Sequence, residues 1–276
     1  MLWTPKTDIR VVTNGGIVGS ATPWTAVASN ATTLLDGAVT ELISAANNVR
    51  DSYGIEIAIA ATGLAATAAE AALDLLVGGA TDDVLAAALL CGYTTAAAGP
   101  GVTRYFFPVH IPAGVRIAAV LASVRTSITA RVGVWLYGGG VPPWRVGRKI
   151  TTYGTQINNA RGQAVTPTAS GGAASVTQMT ASSTYDHFYF LPGFQPATDT
   201  TITPAGWVNL GIGVGAATEE RIGTWWYGKD TGESSNGLVP MMGAWREVPS
   251  GSRLTLLASN SGANDAAYDG LIFAVS

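Results

Sequence analysis

The stretch VPSGSRLTLLAS at 248–259 follows the same pattern as IPAGVRIAAVLAS at 111–123, earlier in the chain. In both stretches a proline and a glycine precede an arginine, and an apolar run then ends in Ala-Ser. Pro249 follows Pro112 by 137 positions. An internal repeat of this kind decides the fold, because both copies have to form the same structure.

The same shift aligns further residues that have special backbone or pairing roles. The aligned pairs are Gly114 with Gly251, Arg116 with Arg253, and Gly133 with Gly270. The longest match joins VGGATDD at 77–83 to VGAATEE at 214–220. The register slips by two positions upstream of these runs, so that Asp51 meets Asp186. We therefore interpret the chain as a tandem duplication.

The duplication and the local composition together predict four regions. Residues 38–138 and 157–276 are two domains, each about the size of a β-sandwich. Residues 139–156 are rich in glycine, proline and charge and are predicted to be a linker. Residues 1–37 fall outside the repeat and are predicted to be an N-terminal arm with at most short strands.

The composition limits the classes of partner. Charged residues make up 12% of the chain and the mean hydropathy is +0.28, whereas soluble domains usually have about twice that share of charge. So little charge predicts that other protein covers much of the surface. The net charge of -3 and the isoelectric point near 5.3 argue against nucleic acid as a partner, because phosphate binding needs clustered Lys and Arg.

Targeting segments, membrane spans and metal sites are not expected. MLWTPKTDIR at 1–10 lacks the basic start, apolar core and cleavage site of a secretory signal. The most apolar region, 54–91, is interrupted by acidic side chains, which argues against a membrane span. The single cysteine, Cys91, excludes an internal disulfide and a cysteine-built zinc site.

The Ala-rich stretch at 66–90 admits two interpretations. Its intrinsic propensity favours a helix. Its repeat partner at 207–228 places Val208, Leu210 and Ile212 at strict alternation, with glycines on the opposite face, which is typical of a strand. We favour strands in both copies, because repeated segments share a fold, and keep the helix as the alternative.

Short apolar strands between turn signals predict an all-β fold of two tandem antiparallel β-sandwiches, jelly-roll-like in architecture. In the first copy the predicted strands are 38–45, 52–61, 72–78, 84–91, 104–110, 115–123 and 130–137. In the second copy they are 175–181, 187–194, 207–214, 221–227, 238–244, 252–259 and 267–275. Pro-Ala-Gly and Pro-Ser-Gly provide a tight entry into the next strand in the two copies.

Three features recur in the two copies: the turn followed by IPAGVRIAA or VPSGSRLTL, final strands such as RVGVWLYG and YDGLIFAV, and the turn GVGAATEE. In these features the chain resembles β-sandwich structural proteins of tailed bacteriophage virions. The resemblance covers both repeats and leaves the first 37 residues uncovered. It implies a virion component of tail, fibre or capsid-surface type, which forms a homo-oligomer, with a trimer as the expected state, and contacts other virion proteins.

Motifs for catalysis or cofactor binding are weak. GIGVGA at 211–216 fits the dinucleotide fingerprint, but the residues after it are typical of a strand and not of the helix that the motif needs. His110 and His187 each stand alone, outside any metal-ligand spacing. The acidic pairs at 82–83 and 219–220 point to opposite faces of a strand. We expect no enzymatic activity, no metal and no cofactor.

Two charged pairs are expected to be structural. Arg116 and Arg253 occupy equivalent positions of the repeat, as do Asp51 and Asp186. The sequence predicts an ion pair between Arg116 and Asp51 and another between Arg253 and Asp186. The alternative is that each arginine packs its stem along the strand and keeps its charge in solvent.

Aromatic placement is where the copies differ. Four aromatic residues of the second copy, Trp225, Trp226, Tyr227 and Trp245, have the non-aromatic shift partners Ala88, Leu89, Leu90 and Pro108. Because adjacent strand residues alternate, Trp225 and Trp226 cannot both face the core. An exposed tryptophan predicts contact with a neighbouring subunit, which the low charge favours, or with a sugar ring. Trp144 and Arg145 in the linker are predicted to pin the two domains together.

These observations predict a non-enzymatic virion structural protein, made in the host cytoplasm and incorporated into the particle. A tail or fibre component that assembles through the N-terminal arm is favoured over a capsid decoration protein. Its partners are further copies of itself and other virion proteins. The alternative from another class is a carbohydrate-binding module for host attachment, whose partner is a host surface glycan.

Overall fold

The computed structural model describes residues 10–13, 24–62, 70–78, 82–92, 102–126, 128–139, 141–155, 161–169, 172–197, 206–215, 219–229, 235–239, 243–262 and 268–276. The strands are β1 (Arg10–Thr13), β2 (Thr25–Ala28), β3 (Thr40–Ile43), β4 (Ser52–Thr62), β5 (Ala71–Gly78), β6 (Asp82–Leu90), β7 (Val102–Phe107), β8 (Arg116–Ser123), β9 (Thr129–Gly138), β10 (Ile150–Tyr153), β11 (Gln163–Val165), β12 (Ser175–Thr180), β13 (His187–Pro196), β14 (Gly206–Val214), β15 (Glu220–Lys229), β16 (Ser235–Val239), β17 (Ala244–Val248), β18 (Leu254–Asn260) and β19 (Tyr268–Val275). None of the described residues lies in a helix long and apolar enough to cross a membrane.

Strand pairing in the first copy is nested. Strand β2 pairs with β9, β3 with β8, β4 with β7 and β5 with β6, all antiparallel. Nested pairing of this kind rolls one long antiparallel hairpin into two facing sheets, which is the jelly-roll arrangement. Sheet I contains β2, β9, β4 and β7 together with β1, and sheet II contains β3, β8, β5 and β6.

The second copy repeats this pairing. Strand β11 pairs with β19, β12 with β18, β13 with β17 and β14 with β15. Sheet III contains β10, β11, β19, β13 and β17, and sheet IV contains β12, β18, β14, β15 and the additional strand β16. The predicted fold class, two tandem antiparallel β-sandwiches of jelly-roll type related by duplication, is confirmed.

The turn that first indicated the repeat has the same conformation in both copies. Gly114 and Gly251 have φ angles of 76° and 81°, in the left-handed region that favours glycine. The amide of Gly114 donates to the carbonyl oxygen of Asn48 at 2.6 Å, and that of Gly251 donates to Ser183 at 2.8 Å. The repeated glycine therefore sets the backbone direction into β8 and β18.

The described residues of the Ala-rich stretch, 70–78 and 82–90, lie in strands except for Glu70, and none of them lies in a helix. Within its described residues β5 and β6 form an antiparallel hairpin, with Leu73 opposite Leu89. The ladder that β5 also makes with β8 supplies partners for its backbone groups. Tertiary pairing therefore overrides the helical propensity of alanine, as the repeat predicted.

Strands β1 and β2 lie within 1–37, where an arm with at most short strands was predicted, and both pair with β9. Two other predicted boundaries differ from the observed strands. Strand β10 lies within the predicted linker, 139–156, and pairs with β19. The predicted strand at 238–244 is replaced by β16 and β17, which belong to different sheets. These strands are four or five residues long, too short to show a clear period.

Sheet III contributes side chains to the core of the second sandwich and also to the core of the first. Every residue of β13 and β19 is buried. Along β19, Ile272 and Ala274 face the core that sheet III forms with sheet IV, whereas Leu271, Phe273 and Val275 join the core of the first sandwich. Alternate residues of β19 thus pack into two different cores. This shared strand joins the two jelly rolls into one continuous body.

Candidate functional site

The predicted ion pairs have different partners in the structure. Arg116 pairs with Asp82 and Arg253 pairs with Glu219, whose Oε1 lies 2.5 Å from Nη1 of the arginine. Asp82 on β6 and Arg116 on β8 both lie opposite Gly78 on the strand between them, which has no side chain to separate them. Each arginine therefore pairs with an acid that recurs at the same shift, and the predicted partners, Asp51 and Asp186, were wrong.

Asp51 and Asp186 instead hold the repeated turn. The Oδ1 atom of Asp51 accepts a hydrogen bond from the amide of Ala113 at 2.8 Å. In the second copy Asp186 accepts from Ser250 at 2.7 Å. Each aspartate therefore caps the turn of its own copy, and the acid and the arginine stabilise different parts of the same sandwich.

The aromatic residues of β15 are divided by the alternation of the strand. Trp225 and Tyr227 are 3% and 1% exposed and lie in the core of the second sandwich. Trp226 between them is 45% exposed. The prediction that the adjacent tryptophans face opposite sides agrees with this placement. Trp225 and Tyr227, proposed from the sequence as contact residues, are core residues and do not reach a surface.

Trp226 belongs to an exposed cluster, here called the aromatic face, formed by Trp207, Asn209, Arg221 and Trp226. The ring centroids of Trp207 and Trp226 are 4.3 Å apart and their planes meet at 82°. Arg221 donates from Nη1 to Oδ1 of Asn209 at 3.2 Å. Sequence reasoning did not single out Trp207, although it opens the alternation of β14 on the side opposite Val208.

The remaining predicted contact residues meet at a second place, between the two sandwiches. This junction cleft has a volume of about 480 Å³ and is lined by Phe106, Pro143, Trp144, Arg145, Tyr189 and Trp245. Phe106 comes from the first sandwich, and Tyr189 and Trp245 come from the second. The segment between the copies supplies the other three, so residues far apart in sequence form one apolar surface.

The polar atoms of Trp144 and Tyr189 in the junction cleft already have partners within the chain. The indole Nε1 of Trp144 donates to the carbonyl oxygen of Tyr53 at 2.9 Å. The hydroxyl of Tyr189 donates to the carbonyl oxygen of Phe106 at 2.9 Å and accepts from the amide of Gly243. Burial raises the pKa of the Tyr189 phenol well above its usual range. The cleft therefore offers a partner mainly apolar surface.

The rim of the cleft carries one cation. The guanidinium of Arg145 lies 4.2 Å from the ring centroid of Phe188 and pairs with Glu247. Trp245 stacks on the same Phe188 ring, with a centroid distance of 5.8 Å. Trp144 thus contacts the first sandwich and Arg145 contacts the second, and a pinning role for the two residues stays a prediction.

A buried polar cluster, which sequence reasoning missed, crosses the junction elsewhere. Glu70, Gln195 and Asp269 are each at most 5% exposed. Gln195 on β13 accepts from the amide of Gly92 at 2.9 Å and donates to Oδ2 of Asp269 at 3.4 Å. Arg161 pairs with Glu70. The only signal in the sequence is that Glu70 and Asp269 are single acids in apolar stretches.

The Asp269 carboxyl of this cluster has a raised pKa. Burial raises its pKa from 3.8 to about 7, and the negative charge of Glu70 adds to the shift. The hydrogen bond from Gln195 and the positive charge of Arg161 oppose it. A carboxyl of this kind keeps its proton in mildly acidic solution. Asp269 bonds to Gln195 of β13, and Gln195 in turn bonds to Gly92 of the first sandwich, which is a structural role.

The two histidines have structural surroundings. His187 is fully buried, its Nε2 lies 2.8 Å from the hydroxyl of Tyr153, and burial lowers its pKa. His110 stacks on Tyr53 with a centroid distance of 5.7 Å. Burial raises the pKa of the Cys91 thiol to about 12. Among the described residues, no group of three or more His, Cys, Asp and Glu is placed to hold a metal ion.

No protein-family model and no curated protein matches the chain. The chain is similar in fold to PNGF-II, with a TM-score of 0.40 and 7% identity over 98% of this chain and 66% of that one. It is also similar to a chain of cowpea mosaic virus empty particles, with a TM-score of 0.37 and 10% identity over 95% and 92% of the two chains. For broad bean stain virus the TM-score is 0.36, with 10% identity over 95% and 91%.

These likenesses are distant. The chain spans slightly less than two thirds of the PNGF-II chain. Likenesses at this level add nothing to the jelly-roll topology that the strand pairing already establishes, and they carry no statement about activity.

The raised pKa of Asp269 predicts a pH dependence of stability. Because the folded pKa lies above the ordinary value of 3.8, the folded protein keeps a proton that the unfolded chain releases. The contribution of this group to stability is fully present below about pH 4 and is lost as the pH rises to about 7, with a slope of at most about 1.4 kcal/mol per pH unit. Urea unfolding of the wild type and of Asp269→Asn between pH 4 and 8 measures it.

The Asp269→Asn variant is expected to have a flatter profile than the wild type, since asparagine keeps the acceptor and does not titrate. The control is Asp83→Asn, because Asp83 is an exposed carboxyl on β6, and this variant should keep the wild-type profile. If the free energy of unfolding of Asp269→Asn depended on pH as steeply as that of the wild type, Asp269 would not be the group that holds the proton.

Proposed function

We propose that the protein is a non-enzymatic structural component of a tailed bacteriophage virion, within the tail or a tail fibre, and that it works as a homo-oligomer. The observation that supports this most directly is the core shared by the two jelly rolls. Phe273 of β19 is fully buried and packs its ring against Tyr105 and Phe107 of β7, with centroid distances of 5.3 and 5.4 Å.

Such a junction suits a part that transmits force. Two domains joined only by a flexible linker move relative to one another. Here the core of the first sandwich continues into Leu271, Phe273 and Val275 of sheet III. Bending the molecule at this junction would expose apolar surface, so the two jelly rolls act mechanically as one unit.

The N-terminal segment is proposed to attach the molecule to the particle. Its described residues at 10–13 and 25–28 are held on sheet I by the ladders that β1 and β2 make with β9. This anchorage passes a load on the segment directly to the central strand of the sheet. The N-terminal segment is therefore partly held on sheet I and is not an arm along its whole length. The proposed role of attachment to the particle is unchanged.

The junction cleft is proposed as the contact between subunits, with a trimer as the expected assembly. Its apolar walls are wide enough to take a side chain from a neighbour, and the polar groups of Trp144 and Tyr189 are already bonded within the chain. Trp245 is 43% exposed at this surface. Exposed aromatic rings of this kind are enriched at protein interfaces.

Immunogold electron microscopy of the particle fraction from the source culture tests the virion assignment. Gold at one end of the tail is the expected result for a tail or fibre component. Gold spread over the head would indicate a capsid decoration protein, the alternative within the same class. Particles without gold, with the antigen only in soluble fractions, would contradict the proposal.

The subunit contact predicts that Trp245→Ala weakens the oligomer. Light scattering after gel filtration should give three chains for the wild type and a lower mass for Trp245→Ala at the same concentration. Trp226→Ala is the matched control, because Trp226 has nearly the same exposure, 45% against 43%, and lies away from the cleft. If the oligomer mass fell for Trp226→Ala and stayed unchanged for Trp245→Ala, the contact between subunits would lie outside the junction cleft.

A further inference from the structure

The aromatic face combines two exposed indoles with polar groups in one row. Along β14 the buried side is formed by Val208, Leu210 and Ile212, so Trp207 and Asn209 point outward. On β15 Trp226 lies opposite Asn209 in the register. The face therefore lies on the outer surface of sheet IV, and its groups are placed by two paired strands and not by a loop.

The two indoles form a right-angled corner. Trp207 and Trp226 are 44% and 45% exposed, and their planes meet at 82°. The ring of a sugar has flat sides of C–H groups, and these pack well on an indole face. A corner gives such a ring one flat surface below it and one edge beside it. Both tryptophans are held by the sheet, so little conformational entropy is lost on binding.

Arg221 is held beside the indoles by two features. A Cβ atom at Gly211 would lie 2.8 Å from Nε of Arg221, so the absence of a side chain at this glycine makes room for the guanidinium above β14. Asn209 then accepts a hydrogen bond from Nη1 of Arg221. The arginine is therefore oriented toward the cross-strand neighbour of Trp226.

The charge of Arg221 is not neutralised by the acids next to it in sequence. Glu219 pairs with Arg253, and Glu220 pairs with Arg246. In the part of the chain that the structure describes, Arg221 has no carboxylate within 4.0 Å. The planar fork of an arginine matches a carboxylate in a bidentate geometry. The aromatic face therefore has a cation available for an acidic ligand.

The first sandwich provides an internal comparison. Trp226 lies opposite Asn209, and the equivalent pair in the first copy is Leu90 opposite Ala72. Leu90 is fully buried in the first core, and Arg221 corresponds to Val84. The turn glycine and the arginine ion pair occur in both copies, whereas the exposed indoles and Arg221 occur in the second alone. The jelly roll forms without them, so their presence calls for a role outside folding.

We propose that the aromatic face binds a pyranose sugar that carries a carboxylate, such as a uronic acid or sialic acid unit of an acidic polysaccharide. The sugar ring packs on the indoles of Trp207 and Trp226, and its carboxylate pairs with Arg221. Apolar protein side chains fit this face less well, because they would cover the Arg221 charge without a partner for it. The inference does not depend on the virion assignment.

The test uses the full chain with defined polymers. Affinity gel electrophoresis is run with alginate, polygalacturonate or polysialic acid in the gel, and with the same polymers after chemical reduction of their carboxyl groups to alcohols. At least one acidic polymer is expected to retard the wild type. Its reduced form is expected to bind about tenfold more weakly, the scale of one charge-assisted pair.

The variants separate stacking from charge. Trp226→Ala is expected to weaken binding of both polymer forms, whereas Arg221→Gln should bind the acidic form as weakly as the reduced one. Arg246→Gln is the charge-matched control, since Arg246 is already paired with Glu220, and it should bind as the wild type does. Trp226→Phe keeps an aromatic ring and Arg221→Lys keeps the positive charge, so both should show intermediate retardation. Intermediate retardation would show that the weaker binding of Trp226→Ala and Arg221→Gln is not caused by a folding defect.

Three results would overturn the proposal. The first is that none of the three acidic polymers retards the wild type. The second is equal binding of the acidic and reduced forms, which would remove the role of the carboxylate. The third is retardation that persists unchanged in Trp226→Ala and Arg221→Gln, which would place the sugar on another surface.

Discussion

The burial of β13 and β19 on both faces is the constraint on which the rest of the structure depends. A strand at the surface of a sandwich needs apolar residues only on alternate positions, but these two strands face a core on each side. Two of the buried polar side chains on them, Gln195 and Asp269, are placed where they bond across the junction or to one another. The junction cleft exists because the same sheet brings Tyr189 next to Phe106.

Alternation along single strands divides the aromatic residues into separate roles. Trp225 and Tyr227 fill the second core, whereas Trp226 between them lies on the surface. Trp245 and Trp144 both line the junction cleft, where their surroundings are mainly apolar and the indole nitrogen of Trp144 is bonded to Tyr53. Trp226 has Asn209 and Arg221 beside it. These different surroundings favour a protein contact at the cleft and an acidic sugar at the aromatic face.

The internal repeat allowed most of the fold to be predicted from the sequence. It made the Ala-rich stretch at 66–90 a strand pair, which its propensity alone contradicts, and it identified the turn at Gly114 and Gly251. Two acidic positions recur in both copies, Asp51 with Asp186 and Asp82 with Glu219, so the repeat could not identify the partner of the arginine. The sequence analysis therefore paired Arg116 with Asp51, whereas the structure pairs it with Asp82. Four-residue strands such as β2 and the buried cluster around Asp269 left no periodic signal, because their contacts depend on tertiary pairing.

Differential scanning calorimetry of the full chain tests most directly whether the two jelly rolls form one rigid unit. A shared core predicts a single transition in which the calorimetric and van't Hoff enthalpies agree. Two separate transitions, or a van't Hoff enthalpy near half of the calorimetric one, would show that the sandwiches unfold independently. Sheet III would then join two domains without making them one mechanical body, which would contradict the account.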